Sequence, residues 1–160
     1  MNSNKLTVTT PSDTEILMTR YFDAPKDVVF RFFTDYSTHP KWVRMGMAKS
    51  LESTGGTSIG DPWKWVMDMG DGNICEFFGQ CLEHIESEKS ARTFMFNMPG
   101  IREMVTVEVA TFTSEGDRTK IEILVRHLDQ ASRDGQIASG MEHGASMTYD
   151  NLETLIKENS

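Results

Sequence analysis

The sequence predicts an α+β domain in which a curved antiparallel sheet of about six or seven strands wraps around a long C-terminal helix. Short segments of alternating apolar and polar residues, separated by turn residues, fill most of the chain up to residue 128. A long amphipathic pattern then closes the chain. One or two short helices are predicted after the first strand. Because short turns connect antiparallel neighbours, we expect the apolar face of the sheet to close on the terminal helix.

The first predicted elements are strands, followed by a helix. Residues 5–9 and 15–22 alternate apolar and polar side chains, while residues 1–14 as a whole are either a flexible extension or an edge strand. Asp23 before Pro25 matches a helix N-cap with a first-turn proline, which predicts a helix from Pro25 to Asp35. A second, short helical turn carrying Trp42 is predicted after it.

Six strands are predicted in the middle of the chain. The clearest pattern alternates Trp63, Trp65 and Met67 with other residues, which is typical of a strand with one apolar face. Asp71 and Gly72 supply a hairpin turn after that strand. The six strands are predicted over residues 48–53, 63–69, 73–85, 91–97, 103–113 and 118–128.

The last predicted element is a single long helix. From Ala131 to Lys157 it would span roughly 40 Å at about 1.5 Å per residue. Glycine in a helix interior costs about 0.5–1 kcal/mol relative to alanine, so Gly140 and Gly144 indicate either close backbone packing or room for a ligand. The apolar stripe recurs at steps of three and four and consists of Ala138, Met141, Ala145, Thr148, Leu152 and Leu155.

Composition argues against several classes of function. The formal net charge of −8 and the pI near 5.0 disfavour nucleic acid and anionic membrane surfaces as partners, because both attract basic patches. No apolar run predicts a membrane span and no export signal opens the chain, so we expect a cytoplasmic protein. The 160 residues, 38% of them apolar, predict one domain over residues 1–160. Cys75 and Cys81 are interpreted as reduced apolar residues.

Two groups of motifs resemble the AHSA-type SRPBCC domains. The motifs of the first half are Ala24–Phe30, Phe33–Asp35, Trp42 and a Gly-Asp pair before the tryptophan strand. Those of the second half are Val105–Glu108, Gly116-Asp117, Thr119-Lys120 and Gly140–Gly144, with Leu152 after them. The resemblance covers residues 15–156. It implies a helix-grip, START-like fold that holds apolar ligands between the sheet and the terminal helix, in a family named for activators of a heat-shock-protein ATPase.

One position departs from the pattern of that family. Its members usually carry tryptophan after the second glycine of the helix motif, where this chain has Ala145. The smaller side chain would vacate space beside Gly144. We therefore expect a gap of ligand size between helix and sheet, on the order of 300–1,000 Å³.

Aromatic and methionine residues mark the candidate binding site. The chain has 11 methionines, and methionine is typical of adaptable apolar pockets. Aromatic rows on strands are more often plain core, and that interpretation stays open beside the ligand-binding one. The predicted ligand-binding residues are Trp42, Trp63, Trp65, Met67, Phe94, Phe96, His127, Met141, Gly144 and Ala145.

His127 is the candidate polar residue of this site, because it shares the core-facing side of its strand with Ile121, Ile123 and Val125. It is interpreted either as a polar anchor or general base for a ligand, or as a histidine hydrogen-bonded at a strand end. Gly56–Gly60 matches G-x-S-x-G, but a strand follows where a nucleophile elbow needs a helix. No carboxylate pair or zinc-ligand spacing is found either, so no catalytic residue, metal or cofactor is predicted.

The sequence thus predicts a protein that binds a small apolar or amphipathic molecule. A co-chaperone-like module that stimulates a heat-shock-protein ATPase, as the family name implies, is the second hypothesis. The third is an enzyme of the cyclase or hydratase type, which would need a polar pair inside the same cavity. Binding without catalysis is the preferred interpretation, and a homodimer or a chaperone complex is compatible with it.

Overall fold

Eight antiparallel strands form one curved sheet in the computed structural model, which describes residues 4–43, 50–70, 72–98 and 101–159. In chain order the strands are β1 (Thr7–Ser12), β2 (Glu15–Phe22), β3 (Ser50–Gly55), β4 (Pro62–Gly70), β5 (Asn73–Ile85), β6 (Lys89–Met98), β7 (Ile101–Glu115) and β8 (Arg118–His127). Across the sheet they lie in the order β1-β2-β8-β7-β6-β5-β4-β3, and all neighbours are antiparallel.

The described residues also form four helices, which pack against one face of the sheet. They are α1 (Lys26–Thr34), α2 (His39–Trp42), α3 (Gln130–Ala138) and α4 (Met141–Glu158), with a 3₁₀ turn at Tyr36–Thr38. The predicted α+β class and its helix-grip arrangement are confirmed. Within the described part of the chain, no helix is both long and apolar enough to cross a membrane.

The sheet has eight strands, whereas six or seven were expected. The segment that forms β1 pairs with β2 along the edge of the sheet, with Val8 opposite Met18. The predicted strand over 73–85 has the bounds of β5, whereas β6 and β7 each begin two residues earlier than predicted. The first two residues of the predicted strand 48–53, and Asp71 of the predicted turn, lie outside the described residues.

The prediction of one helix from Ala131 to Lys157 is wrong, because the chain forms two helices there. The first ends at Ala138 and the second begins at Met141, and Gly140 between them has a φ of 85°. Glycine adopts this left-handed conformation readily, since it has no Cβ to clash. The break therefore explains Gly140. The second helix, α4, has 18 residues and spans roughly 27 Å.

The start of α1 also differs from the prediction. Asp23 does not cap the helix, because Pro25 occupies the N-cap position and no side chain makes a capping hydrogen bond. The carbonyl oxygen of Pro25 accepts hydrogen bonds from the backbone N–H groups of Val28 and Val29, both at 3.1 Å. The Asp23 carboxylate instead pairs with Arg118 on β8 at 3.1 Å. Its role is to join the loop before α1 to the sheet.

The C-terminal half of α4 packs closely on the sheet. Leu152 is fully buried and Ile156 is 4% exposed. The guanidinium of Arg20 on β2 is buried as well and donates hydrogen bonds to Asp150 and Glu153, each at 2.7 Å. These carboxylates lie one turn apart on the same side of the helix. Together they fix the position of α4 along β2.

Replacing Leu152 with alanine is expected to lower the free energy of unfolding by about 2–5 kcal/mol, because the change leaves a cavity in the core. Leu128→Ala is the matched control, since Leu128 is 77% exposed. The control should change stability by less than about 0.5 kcal/mol. Urea unfolding followed by tryptophan fluorescence measures both variants. Equal effects would contradict the packing of α4 on the sheet.

Candidate ligand-binding site

A cavity of about 110 Å³ lies between the sheet and the N-terminal half of α4. It is smaller than the expected size, on the order of 300–1,000 Å³. It is closer to an engineered apolar cavity of about 150 Å³ that binds benzene. Its apolar lining residues are Met18, Phe33, Val43, Trp65, Phe94, Ala110, Ile123, Met141, Gly144 and Ala145. Its polar lining residues are Ser90, Arg92, Glu108, Gln136, Thr148 and Tyr149.

The cavity brings together part of the predicted set. The predicted residues that line it are Trp65, Phe94, Met141, Gly144 and Ala145. The predicted residues that lie in the surrounding hydrophobic core are Trp42, Trp63, Met67 and Phe96. The ring of Trp63 contacts the cavity wall, since its centroid lies 5.2 Å from that of Trp65. Four of the predicted residues are therefore plain core residues, and five line the cavity.

His127, the tenth predicted residue, is not in the cavity lining among the described residues. It is buried at the end of β8, where its Nδ1 lies 3.2 Å from the carbonyl oxygen of Thr14. Its Nε2 lies 2.5 Å from Oε1 of Gln136, a lining residue on α3. Both ring nitrogens thus contact protein oxygens. His127 is connected to the cavity lining by its contact with Gln136. This geometry is that of a histidine hydrogen-bonded at a strand end.

Gly144 provides open space rather than a close helix contact. A Cβ atom built at this position has no neighbour within 4 Å, apart from adjacent residues and the backbone of its own helix. Close packing therefore does not explain this glycine. Ala145 beside it also lines the cavity. The small residues of α4 therefore leave space between this half of the helix and the side chains of the sheet.

The sequence interpretation missed a partly buried ion pair in the cavity. The register of β6 and β7 places Arg92 opposite Glu108, and Arg92 Nε donates to Glu108 Oε1 at 3.0 Å. Each side chain is only 16% exposed. The alternation of Arg92 with Phe94 and Phe96 on one strand was the available signal, because it puts the arginine on the apolar face. The identity of its partner, Glu108, depends on how β6 and β7 are aligned, and the sequence of one strand does not show that alignment.

Aromatic rings surround the charge of Arg92. Its guanidinium carbon lies 4.1 Å from the ring centroid of Trp63 and 4.9 Å from that of Trp65, within the range of cation–π contacts. Its Nη1 donates to the hydroxyl of Tyr36 at 3.1 Å. Burial disfavours the charged form, but Tyr36 and Glu108 outweigh that effect and raise the pKa of Arg92. The cavity therefore contains a permanent, paired positive charge.

Tyr149 supplies a second polar group from α4. Its ring stacks on Phe33, with centroids 6.4 Å apart and planes at 11°. Burial, and then the nearby charge of Glu108, raise the pKa of Tyr149, so its hydroxyl keeps its proton at neutral pH. Within the described part of the chain, this hydroxyl makes no hydrogen bond. It is therefore available to a molecule in the cavity.

A buried histidine fixes the cavity wall at Trp65. The indole Nε1–H of Trp65 donates to Nδ1 of His39 at 3.0 Å. Because Nδ1 accepts, the ring proton lies on Nε2, which donates to the carbonyl oxygen of Phe33 at 2.9 Å. Burial, assisted by the charge of Arg92, lowers the pKa of His39 to about 3. His39 is thus a neutral histidine that orients the tryptophan.

Other reactive side chains do not form a site. Cys75 and Cys81 are buried and free, as the sequence predicts, and burial raises the pKa of both thiols. Among the described residues there is no cluster of three or more histidine, cysteine or acidic side chains that could hold a metal ion. The charged groups of the cavity lining are therefore Arg92 and Glu108, and its uncharged polar groups are Tyr149, Ser90, Gln136 and Thr148.

Comparison with known proteins gives one family. The family model described as "Activator of Hsp90 ATPase homolog 1-like protein" matches residues 23–157. That match spans the fold from the loop before α1 to the last turn of α4. A search of the curated proteins finds no match.

Solved structures share the fold at low sequence identity. A protein from Rhodobacter sphaeroides has a TM-score of 0.88 at 15% identity, covering 96% of this chain and 99% of its own. A protein from Mycobacterium smegmatis has a TM-score of 0.83 at 17% identity, covering 97% and 99%. A protein from Arthrobacter aurescens has a TM-score of 0.82 at 16% identity, covering 95% and 91%. Identities this low show the fold alone.

The neutral state of His39 predicts a loss of stability in acid. A histidine in the unfolded chain takes up its proton near pH 6.5, whereas His39 in the fold does so only near pH 3. Between these values the unfolded state binds more protons, so the stabilisation present above pH 6.5 is lost as the pH falls. His39 changes the free energy of unfolding by at most about 1.4 kcal/mol per pH unit.

Urea unfolding of the wild type and of His39→Gln, at several pH values between about 4 and 7, measures this contribution. The wild type should lose stability more steeply than the variant as the pH is lowered, because glutamine takes up no proton. Parallel curves would contradict a neutral, buried His39.

Replacing Gly144 with alanine is expected to raise the free energy of unfolding by about 0.5–1 kcal/mol, because alanine favours the helix and no atom obstructs its Cβ. Gly135→Ala on α3 is the matched control, since its surroundings are equally open but it does not line the cavity. Thermal unfolding compares both variants with the wild type. A loss of stability in Gly144→Ala alone would show that its space is occupied by protein.

Proposed function

The chain belongs to the family of Activator of Hsp90 ATPase homolog 1-like proteins, and on that premise we propose that it binds a small, mainly apolar molecule between the sheet and α4. The observation that carries the proposal is the open space at Gly144, in a cavity that Ala145, Trp65 and Phe94 also line. Moving the apolar surface of a ligand from water into such a space is favourable by about 25 cal/mol of free energy per Å².

The shape of the cavity favours a compact ligand. A volume of about 110 Å³ suits a molecule near the size of one aromatic ring rather than a long lipid. Met18 and Met141 both line the cavity. Methionine side chains are flexible, so these walls can adjust to rings with small substituents.

The polar groups favour binding over catalysis. A general acid or base works best when its pKa lies near the working pH. The pKa values of Tyr149 and Arg92 are both raised, so these groups keep their protons at neutral pH. They are suited to hold a ligand by hydrogen bonds. The cyclase or hydratase hypothesis is for this reason ranked below binding.

A chaperone partner is proposed on the family description alone. That description names an activator of the Hsp90 ATPase, which makes stimulation of such an ATPase the alternative function. We rank it second because the side chains that line the cavity support ligand binding directly. A homodimer and a cytoplasmic location stay predictions from the sequence.

The Ala145→Trp variant tests the proposed function. It introduces the residue usual in the family and is expected to fill the cavity, so binding of fluorobenzene should weaken at least tenfold, or about 1.4 kcal/mol. Stability should change little, because the indole enters existing space. Ala138→Trp is the control, since Ala138 lies on the exposed side of α3. Fluorine NMR of the probe measures binding without interference from the added tryptophan.

Two outcomes would contradict the proposal. The first is that fluorobenzene fails to bind the wild type up to its solubility limit. The second is that Ala145→Trp binds the probe as the wild type does while losing about 1–3 kcal/mol of stability, the usual cost of overpacking a solid core.

A further inference from the structure

We propose that Arg92, Glu108 and Tyr149 form a polar subsite in the cavity, which selects uncharged, ring-sized molecules that carry one hydroxyl or amide group. The inference rests on the proposed function, because it concerns the same cavity. It assigns the chemical class of the ligand, which neither the family description nor the fold supplies.

Arg92 has hydrogen-bond donors left for a ligand. An arginine carries five N–H groups. Two of them are used within the described part of the chain, by Glu108 at 3.0 Å and Tyr36 at 3.1 Å. Glu108 accepts through one oxygen, although an ionised carboxylate offers about four lone-pair positions. Both side chains line the cavity and are hydrogen-bonded to each other, so their polar groups lie next to one another in its wall.

Tyr149 adds a group that both donates and accepts. Its hydroxyl keeps its proton and makes no hydrogen bond with any described residue. It lies close enough to Glu108 and Arg92 for their charges to change its pKa. A hydroxyl or amide on a bound ring can therefore accept from Arg92 or Tyr149 and donate to Glu108.

The charges of the subsite disfavour ionised ligands. Arg92 and Glu108 form a pair without net charge, so a ligand ion would lose its hydration without finding a counter-ion. A carboxylate would also lie beside Glu108, and an ammonium beside Arg92. A purely apolar ring would leave the polar groups without partners. An uncharged ligand with one hydrogen-bonding group avoids both penalties.

An NMR titration of the full chain with four probes of similar size tests the inference. The probes are phenol, toluene, benzoate and benzylammonium. The indole N–H signal of Trp65 should move, because its ring lines the cavity. We expect phenol to bind about tenfold more tightly than toluene, which has the same shape without the hydroxyl. Both ions should bind more weakly than phenol.

Two conservative variants locate the subsite. Tyr149→Phe removes only the hydroxyl and should reduce the preference for phenol over toluene by at least threefold, or about 0.7 kcal/mol. Glu108→Gln leaves the charge of Arg92 without its partner, so benzoate should then bind more tightly than phenol. If Glu108→Gln fails to fold, the relative affinities of the four probes for the wild type and the result for Tyr149→Phe decide the question.

The outcomes separate this inference from the proposed function. Equal binding of toluene and phenol to the wild type, with Trp65 shifted by both, would overturn the polar subsite while supporting an apolar binding cavity. Tighter binding of benzoate or benzylammonium than of phenol would overturn it as well. Failure of all four probes to move the Trp65 signal would overturn both the subsite and the proposed function.

Discussion

A buried guanidinium determines where α4 lies, and the cavity depends on that position. Arg20 is 3% exposed, and a charge at that depth needs partners because burial removes its hydration. Asp150 and Glu153 supply them from adjacent turns of α4, each at 2.7 Å. The helix can therefore neither rotate nor slide along β2 without leaving a buried charge unpaired. Leu152, between the two carboxylates in sequence, faces the core as a consequence.

This attachment divides α4 into two halves with different roles. The C-terminal half is held by charge and apolar contact, whereas the N-terminal half, from Met141 to Tyr149, passes over the cavity. The turn at Gly140 separates it from α3, so that Gln136 reaches the cavity from another direction. The wall opposite is held by the hydrogen bond between Trp65 and His39. A fixed helix and a fixed ring therefore enclose a space that the small residues leave open.

The sequence predicted what depends on local periodicity and missed what depends on register and on backbone dihedral angles. The alternation around Trp65 placed its strand and its buried face correctly, because a strand has a side-chain period of two. The break at Gly140 was missed since the apolar stripe continues across it, and only a positive φ interrupts the helix. The ion pair of Arg92 and Glu108 was missed because the residues meet only once β6 and β7 are aligned.

That alignment also has a consequence for how the protein evolves. Replacing one member of the pair leaves a partly buried charge without its partner, and the loss of one partner costs about 3–5 kcal/mol where a pair is fully buried. Replacing both members of such a pair with apolar residues of similar volume is often neutral or stabilising. Positions 92 and 108 are therefore expected to drift together among descendants of this fold. Two linked substitutions can change the polar lining of the cavity without altering the contact between Arg20 and α4. The ligand preference of the cavity can therefore change in evolution while the fold stays the same.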